Sequence, residues 1–588
     1  MDDAAHDGEV GHGPSRLPLR LLIGLAQGLA LAYLVHAVDK KLWPSQDSYA
    51  LATTVMLVWL WPAVLLFSVA TRRGTFVLWS LAAAAIIGGI SYYSVWRLGD
   101  LAANEIRPIS MAAPFVALPA LLFVAQALIS SADTDGRVIA RYPTYFDTAW
   151  KLGIQTVFAS AFVVAFWIVL WMGAELFHLI GLDFLRDLTR NKWFAIPASA
   201  VAFAYAIDLT DVRAGLIGGV RNLALMLMSW ILPLMALLAV AFLLTLPFTG
   251  VGPLWQTKSA TVLLLSAAAI LIVLVNAAYR DGENGYPLLI KVAGTVGAVA
   301  LVPLVAIASY ALMLRIGQYG LTPDRILAFF AAGIAVCFAM GYAISAVNIG
   351  GWLKGVEPTN VFAAFLTIAV ILALLTPLAD PARLSVHDQV RRLAAGKTNA
   401  EEFDYDFLRF KSGRYGREAL TRLAAQGVGK EPDKVAALAA EAQKRDQPKP
   451  AEPKVLPDLV SRITVYPAGA KLPESFLAEA WLKSEGAWRV RQCADNPCEA
   501  FLVDIDGDAK AEILMASEVY KDGDKGWALI GSLSQMYCPT VLEALKRGEF
   551  SLAASPFKDI VAGGARLHFQ SYETGCPDVE VVILKKAK

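Results

Sequence analysis

The chain has 588 residues, of which 56% are hydrophobic and only 18% are charged. Soluble domains are usually about 45–50% apolar, so this composition excludes an ordinary soluble globular protein. With 52 basic and 51 acidic side chains, the net charge of +1 provides no basic field for nucleic acid, and we predict no nucleic-acid partner.

Residues 1–18 begin MDDAAHDGEVGHGPSR, which is acidic and polar, and we predict that they form a disordered N-terminal tail. This segment lacks the basic start of a cleavable signal peptide. The first apolar segment, Leu19–Val38, is therefore predicted to remain in the protein as a signal anchor.

Long apolar segments fill residues 19–378. A membrane-spanning helix needs about 20 mostly apolar residues, so we predict a polytopic transmembrane helix bundle in a lipid bilayer. Tryptophan and arginine stand at many segment ends, for example Trp96 with Arg97, as expected at the headgroup level. The predicted spans are Leu19–Val38, Ala50–Ala70, Phe76–Val95, Ala112–Ala132, Ile154–Phe177, Trp193–Ile207, Leu223–Leu246, Ala260–Ala278, Val292–Met313, Ile326–Val347 and Val361–Leu378.

Ionisable residues inside a membrane are the first place to look for function. Here they lie near predicted helix ends, where their charges can reach water, and the scarcity of midspan carboxylates argues against an ion-coupled transporter. Glu175 and His178 have the Glu-x-x-His spacing of di-iron bundles, but such sites need a second motif, so an interfacial hydrogen-bonded pair is favoured. The ionisable residues are His36, Glu175, His178, Asp208, Asp211, Arg221 and Lys291.

Two stretches of the chain carry a resemblance to a known family. Residues 245–282 read TLPFTGVGPLWQTKSATVLLLSAAAILIVLVNAAYRDG, and residues 380–420 read DPARLSVHDQVRRLAAGKTNAEEFDYDFLRFKSGRYGREAL. Both resemble the bacterial membrane-protein family described as domain of unknown function 4153 (DUF4153). The two stretches occur in the order expected for that family, around the final spans. The resemblance extends over about Leu19 to Leu420 and implies a polytopic inner-membrane protein. It implies no established activity, cofactor or catalytic residue.

A polar segment, residues 379–446, follows the last span and is predicted to form a helical arm. Apolar residues recur at helical spacing from Val390 to Ala394 beside two arginines, and Pro432–Lys444 suits a helix with proline in its first turn. Two interpretations stay open: an arm that docks on lipid headgroups or on the bundle, or two solvated helices packed on the body. The proline-rich residues 447–455 predict a stiff linker.

Residues 456–588 are predicted to form a separate small α+β soluble domain. Because the spans make up most of the chain, the predicted fold class is mainly α: a transmembrane bundle of about 11 spans with this domain at the C-terminus. Residues 539–547 predict a helix that ends before Gly548. The strand candidates are Arg462–Tyr466, Trp488–Gln492, Ala500–Val503, Glu512–Ser517, Trp527–Leu533, Arg566–Tyr572 and Val579–Leu584.

The cysteines decide the predicted orientation, because basic residues that flank the spans divide almost equally between the two sides. An even group of cysteines in a small domain favours disulfides, which persist in oxidising compartments. We therefore predict a periplasmic C-terminal domain and, with an odd number of spans, a cytoplasmic N-terminus; free thiols and a zinc site are the alternatives. The disulfide candidates are Cys493, Cys498, Cys538 and Cys576.

The sequence VDIDGDAKAEIL is a candidate calcium loop, because its acidic spacing brings several hard oxygens to one point. An EF-hand is excluded, since position twelve is Met515 and the flanking segments are strands. The loop resembles the calcium turns of integrin-like propeller repeats, although Ala509 replaces the usual glycine and propellers need several copies. A metal-free acidic β-turn is the alternative, and an ion here would be structural. The candidate ligands are Asp504, Asp506, Asp508 and Glu512.

The chain contains none of the common nucleophile-elbow, phosphate-loop, zinc-protease or kinase motifs, and we predict no catalytic residue. The favoured function is a membrane-anchored envelope scaffold, sensor or assembly factor with a periplasmic partner. The alternative is a transporter or channel for a weakly polar or lipidic substrate. A membrane-embedded enzyme acting on lipid-linked substrates is a third hypothesis.

Overall fold

The chain divides into two compact units, Met1–Arg445 and Asp446–Lys588. The predicted linker 447–455 lies outside the described residues, and so does the predicted tail apart from its last three residues. The computed structural model describes residues 16–99, 108–212, 214–250, 252, 260–280, 282, 287–348 and 351–445 and, with interruptions, 462–567.

Eleven of the described helices of the first unit are long and apolar enough to cross a membrane. They match the predicted spans one for one, which confirms the predicted multi-pass bundle. The helices are α1 (Leu17–Lys40), α2 (Ser48–Ser68), α3 (Arg73–Leu98), α4 (Pro108–Asp135), α5 (Tyr142–Leu179), α6 (Phe184–Arg190), α7 (Lys192–Val212), α8 (Ala214–Thr249), α9 (Ala260–Tyr279), α10 (Leu288–Tyr319), α11 (Pro323–Val347), α12 (Val356–Leu374), α13 (Pro381–Ala394), α14 (Gly413–Gln426) and α15 (Pro432–Lys444), of which α6 and α13–α15 are not spans.

Several spans are longer than hydropathy predicts. The helix α5 has 38 residues and begins at Tyr142 instead of Ile154. Pro143 stands in its first turn, where a missing N–H costs nothing because that group has no partner inside the helix. Asp147 and Lys151 lie in the added turns, and their charges lowered the hydropathy on which the prediction depended.

The two larger apolar cores among the described residues of the bundle lie on different sets of helices. One core joins α2, α3 and α4 with the end of α12 and includes Trp79, Ile87 and Leu121. The other is formed mainly by α8 to α11 and includes Leu271 and Leu301, both fully buried. The outward faces of the spans carry large exposed apolar side chains, as expected for surfaces in contact with lipid.

Glycines bring the backbones of α1 and α7 into direct contact. A Cβ atom added to Gly28 would lie 2.3 Å from the Cα of Pro197, and one added to Gly24 would lie 2.8 Å from the carbonyl oxygen of Ala200. Gly24 and Gly28 form a Gly-x-x-x-Gly pair on one face of α1. Such pairs let two helix backbones touch in lipid, where van der Waals packing, and not the hydrophobic effect, drives the association of helices.

The second unit contains a five-stranded sheet in the order β1–β2–β3–β4–β5 and a three-stranded sheet in the order β6–β7–β8. In the larger sheet β1 is parallel to β2, and the other neighbours are antiparallel. Phe476, Ile513 and Tyr520 are fully buried in its core. The strands are β1 (Ile463–Tyr466), β2 (Cys498–Val503), β3 (Glu512–Met515), β4 (Glu518–Gly523), β5 (Gly526–Ser532), β6 (Phe550–Leu552), β7 (Ile560–Ala562) and β8 (Ala565–Leu567).

The α+β class of this unit is confirmed, but the predicted strand pattern needs correction, and it lacked β6 and β7. Val490 and Gln492 are helical, so the strand predicted at Trp488–Gln492 is wrong for its described residues. The strand β4 was not predicted either, and its charged Lys521 and Asp522 are residue types that are uncommon in strands. The candidate Val579–Leu584 lies outside the described residues.

Candidate functional site

Four charged side chains join α1, α5 and α7 near one end of the bundle. Arg20 donates from Nη1 to Asp208 Oδ1 and from Nη2 to Asp211 Oδ2, both at 2.8 Å. Lys151 Nζ lies 2.5 Å from Asp211 Oδ1. We refer to Arg20, Lys151, Asp208 and Asp211 as the charged cluster.

The charged cluster is electrically balanced, and three of its members are largely buried: Arg20 is 3% exposed, Asp208 15% and Asp211 16%, whereas Lys151 is 44% exposed. Ionised groups persist in such surroundings when each has an opposite charge at hydrogen-bond distance. The arrangement therefore stabilises the contact of three helices. Asp208 and Asp211 were predicted to lie near a helix end, but Arg20 and Lys151 were not predicted as their partners. Two signals were present: aspartates three residues apart, and an arginine inside the first helix.

A second polar group, which we name the tyrosine–asparagine network, joins α5, α9, α11 and α12. Asn276 Nδ2 donates to Tyr342 Oη at 2.7 Å, and this hydroxyl donates to Asn360 Oδ1 at 2.6 Å. Asn360 Nδ2 donates to Tyr142 Oη at 3.0 Å and to Asn276 Oδ1 at 2.5 Å. Uncharged side chains that bond across helices fix the packing of membrane bundles. This network was not predicted from the sequence.

A lateral groove opens between α1, α2, α5 and α7, with a volume of about 570 Å³. Its lining is mostly apolar, with Gln27, Ser160 and Ser199 as the polar exceptions. Gln27 Nε2 donates to the carbonyl of Trp59 at 3.0 Å, and Ser199 Oγ accepts from Trp167 Nε1 at 2.9 Å. A groove of this kind, on segments that face lipid, suits an acyl chain or another apolar group.

The arm is bonded to the opposite end of the bundle from the charged cluster. Asp380, which is 0% exposed, accepts from Tyr93 Oη at 2.8 Å and from Arg97 Nη1 at 3.3 Å. Its other oxygen caps α13 by accepting from the backbone N–H of Ala382 at 2.8 Å. One buried carboxylate thus binds a membrane-spanning helix and starts the arm.

Further along α13, Asp388 accepts from the backbone N–H of Leu321 at 2.8 Å, and Ser385 Oγ donates to the carbonyl of Leu321 at 2.9 Å. Arg392 Nη2 donates to the carbonyl of Gln318 at 2.6 Å, at the end of α10. Arg414 Nε donates to the carbonyl of Trp96 at 3.1 Å, at the end of α3.

These contacts satisfy carbonyls that a helix end leaves without partners, and they place positive charge at the negative ends of helix dipoles. We refer to the contacts of Asp380, Asp388, Arg392 and Arg414 with the bundle as the arm junction. Of the two interpretations left open by the sequence, the structure supports an arm docked on the bundle through specific polar bonds.

Replacing Asp380 by alanine is expected to loosen the arm. The change removes an N-cap and leaves Arg97 without its buried carboxylate, for a cost of about 3 kcal/mol. Limited proteolysis of the purified protein should cleave the arm faster than in the wild type. Asp404→Ala is the matched control, because Asp404 Oδ1 accepts from the backbone N–H of Phe407 in an exposed position. Equal cleavage rates for the two variants would contradict the assigned role of Asp380.

The arm has its own core and a surface ion pair. Burial raises the pKa of Tyr405 to about 12. On the surface, Lys434 Nζ lies 2.7 Å from Glu401 Oε1, and this bond lowers the pKa of Glu401 and raises that of Lys434. Both groups keep their charge near neutral pH, so the arm is not expected to respond to small pH changes through this pair.

Of the predicted disulfide cysteines, Cys493 and Cys498 are bonded to each other, with their Cα atoms 5.3 Å apart. Cys538 and Cys576 lie outside the described residues. Cys337 in α11 is a free thiol. The pairing of near neighbours closes the short CADNPC loop beside β2.

The acidic loop is only partly described. Asp506 and Asp508 lie outside the described residues. Asp504 follows β2, and Glu512 begins β3, where its side chain is 1% exposed and lies 3.4 Å from Lys521 Nζ. The calcium site therefore stays a prediction, and the position of Glu512 beside a lysine ammonium adds no support to it, because the ammonium competes for the carboxylate.

Glu175 and His178 do not bond to each other. His178 Nδ1 lies 2.6 Å from Asp183 Oδ1, and Arg186 Nε lies 3.8 Å from Glu175 Oε1. Within the described residues, the structure groups no three histidine, cysteine, aspartate or glutamate side chains in a way that could hold a metal ion.

Comparison with known proteins identifies the family of the chain. The sequence model of the family described as domain of unknown function (DUF4153) matches residues 52–423, which covers ten of the eleven spans and most of the arm. No curated protein matches the chain, and no solved structure matches it. The matched region is well over half of the chain, so this protein is a member of the DUF4153 family.

Proposed function

We propose that this protein is a membrane-anchored scaffold of the cell envelope. In this proposal the bundle and arm form a fixed platform, and the C-terminal domain binds a periplasmic partner protein. The observation that carries the proposal is the arm junction, in which buried Asp380 and Asp388 tie the segment that leads to the domain onto the membrane helices. A scaffold benefits from such a joint, because a rigidly held segment restricts where the following domain can reach.

The scaffold proposal is tested by comparing two changes in a strain that lacks the gene. One variant lacks residues 456–588, and the other carries Ala63→Trp, which fills the lateral groove. The scaffold proposal expects the truncated protein to fail to restore resistance to detergent and the groove-filled protein to restore it. The reverse result would overturn the proposal. Equal membrane levels of both variants, measured by immunoblot, are the control.

The second candidate function is binding or transport of a lipidic substrate, and the lateral groove favours it. The groove carries a glutamine and two serines among apolar side chains, and it lies between helices that are long and apolar enough to cross a membrane. Transport of a labelled phospholipid across vesicles that contain the purified protein, abolished by Ala63→Trp, would support this candidate.

The proposed orientation places the N-terminus in the cytoplasm and the C-terminal domain in the periplasm, and the Cys493–Cys498 disulfide supports it. We expect a membrane-impermeant maleimide to label a variant that retains only these two cysteines in intact cells after mild reduction, and not before it. The replaced residues are Cys337, Cys538 and Cys576. Labelling that requires cell lysis would contradict the periplasmic placement.

A further inference from the structure

A basic cleft of about 500 Å³ lies where the arm meets the end of α3. The helix α14 supplies Arg414, Arg417 and Arg422 to its lining, and Glu418 is the acidic residue among the lining side chains. Thr421 and Gly99 complete the lining. Residues 414, 418 and 422 follow a spacing of four, so they lie along one side of α14.

Two of the three arginines of the cleft, Arg414 and Arg417, are held in place by the bundle. The guanidinium of Arg414 lies 4.7 Å from the centre of the Trp96 ring, while its Nε donates to the carbonyl of Trp96. Arg417 Nη2 donates to the carbonyl of Leu98. Among the described residues, the terminal nitrogens of Arg414 and the whole guanidinium of Arg422 have no hydrogen-bond or ion-pair partner. These donors remain available to a ligand.

The charge of the cleft favours an anion. Three guanidinium groups face one carboxylate and the end of α3, which carries roughly half a negative charge from the helix dipole. The balance stays positive by more than one charge. A planar guanidinium can form a bidentate pair of hydrogen bonds with two oxygens of a phosphate. A chloride ion has a single centre and cannot accept such a pair, so the arginines favour a phosphate.

The position of the cleft at the end of a membrane-spanning helix indicates the source of the anion. Trp96 and Gly99 stand at the end of a membrane-spanning helix, and tryptophan rings at such ends sit among lipid headgroups. We propose that the cleft binds the phosphate of an anionic phospholipid headgroup, with Arg414 and Arg422 as the principal donors. This inference does not depend on the scaffold proposal or on the orientation of the protein.

The test uses the full chain in nanodiscs that contain phosphatidylglycerol and phosphatidylcholine, with retained lipid measured by native mass spectrometry. The expected result is preferential retention of phosphatidylglycerol by the wild type and a loss of about tenfold in Arg422→Glu, because two charge-assisted bonds are replaced by repulsion. Arg422 is exposed, so this change should leave the fold intact. Lys444→Glu is the matched control, since Lys444 is an exposed arm residue outside the cleft lining.

A second variant, Arg414→Gln, should also reduce retention, and its unfolding temperature separates loss of the site from loss of the arm junction. Equal retention by the wild type, Arg422→Glu and Arg414→Gln would overturn the proposal. Competition with soluble glycerol phosphate distinguishes the two sources of the anion. Persistence of the lipid at millimolar competitor supports a headgroup site, and complete displacement would overturn the assignment to lipid.

Discussion

Replacing Gly28 by leucine is expected to separate α1 from α7 and to destabilise the bundle by at least about 3 kcal/mol. The added Cβ would lie 2.3 Å from the Cα of Pro197, which is a backbone atom and cannot rotate away as a side chain can. The measurement is the thermal unfolding of the protein in detergent, followed by the fraction that remains monodisperse on size-exclusion chromatography.

The matched control is Gly89→Leu in α3. Nothing lies within 4 Å of a Cβ at Gly89, so the new side chain should extend into lipid without a clash. This control changes the same residue type in another span, and leucine favours a helix more than glycine does. If both variants unfold at the same temperature, the predicted role of the close contact between Gly28 and Pro197 is contradicted.

Replacing Arg20 by alanine is expected to have the second large effect, a loss of about 3 kcal/mol. The change leaves Asp208 without its cation in a largely buried position, while Asp211 keeps Lys151. Removing one member of a buried pair costs more than the pair contributes, because the remaining charge has lost its water and its partner. Unfolding of the detergent-solubilised protein is again the measurement.

Two comparisons separate charge from packing at this position. Arg16→Ala, one turn earlier in an exposed position, should change the stability little. Adding Asp208→Asn to Arg20→Ala removes the unpaired carboxylate and should recover part of the lost stability. A double variant that is less stable than Arg20→Ala alone would show that the charge of Asp208 is not the cause.

The spans could be predicted because lipid imposes a simple rule on the sequence. A backbone in the hydrocarbon region must bond to itself, so each span is an apolar run of sufficient length. The errors occurred at helix ends. The first turns of α5 carry Asp147 and Lys151, which belong to the helix but not to an apolar run.

The partners of polar residues could not be predicted in the same way. Arg20 and Asp208 are 188 residues apart, and Tyr142 and Asn360 are 218 apart. Hydropathy states which segments enter the membrane and contains no information on which helices touch. The Gly-x-x-x-Gly pair at Gly24 and Gly28 is a packing signal that was missed, and the choice of α7 as the neighbour of α1 depends on the shape of Pro197 and Ala200.

The C-terminal unit was harder because strand signals are short. The strand β4 begins at Glu518, only three residues after the end of β3. In the sequence, the stretch 512–523 resembles one strand followed by a turn at Lys521 and Asp522. In the sheet, these charged residues belong to β4 and pair with β5. Pairing with a neighbouring strand therefore outweighed the turn preference of individual residues.

The arm junction has a consequence for the order of biosynthesis. A ribosome releases α3 long before it reaches Asp380, so the partners of Tyr93 and Arg97 do not yet exist when these residues enter the membrane. A chain that stops before Asp380 holds every span but lacks the donors that Arg392 and Arg414 bring to the ends of α10 and α3. Completion of the arm therefore closes the bundle only after its last described span has been translated.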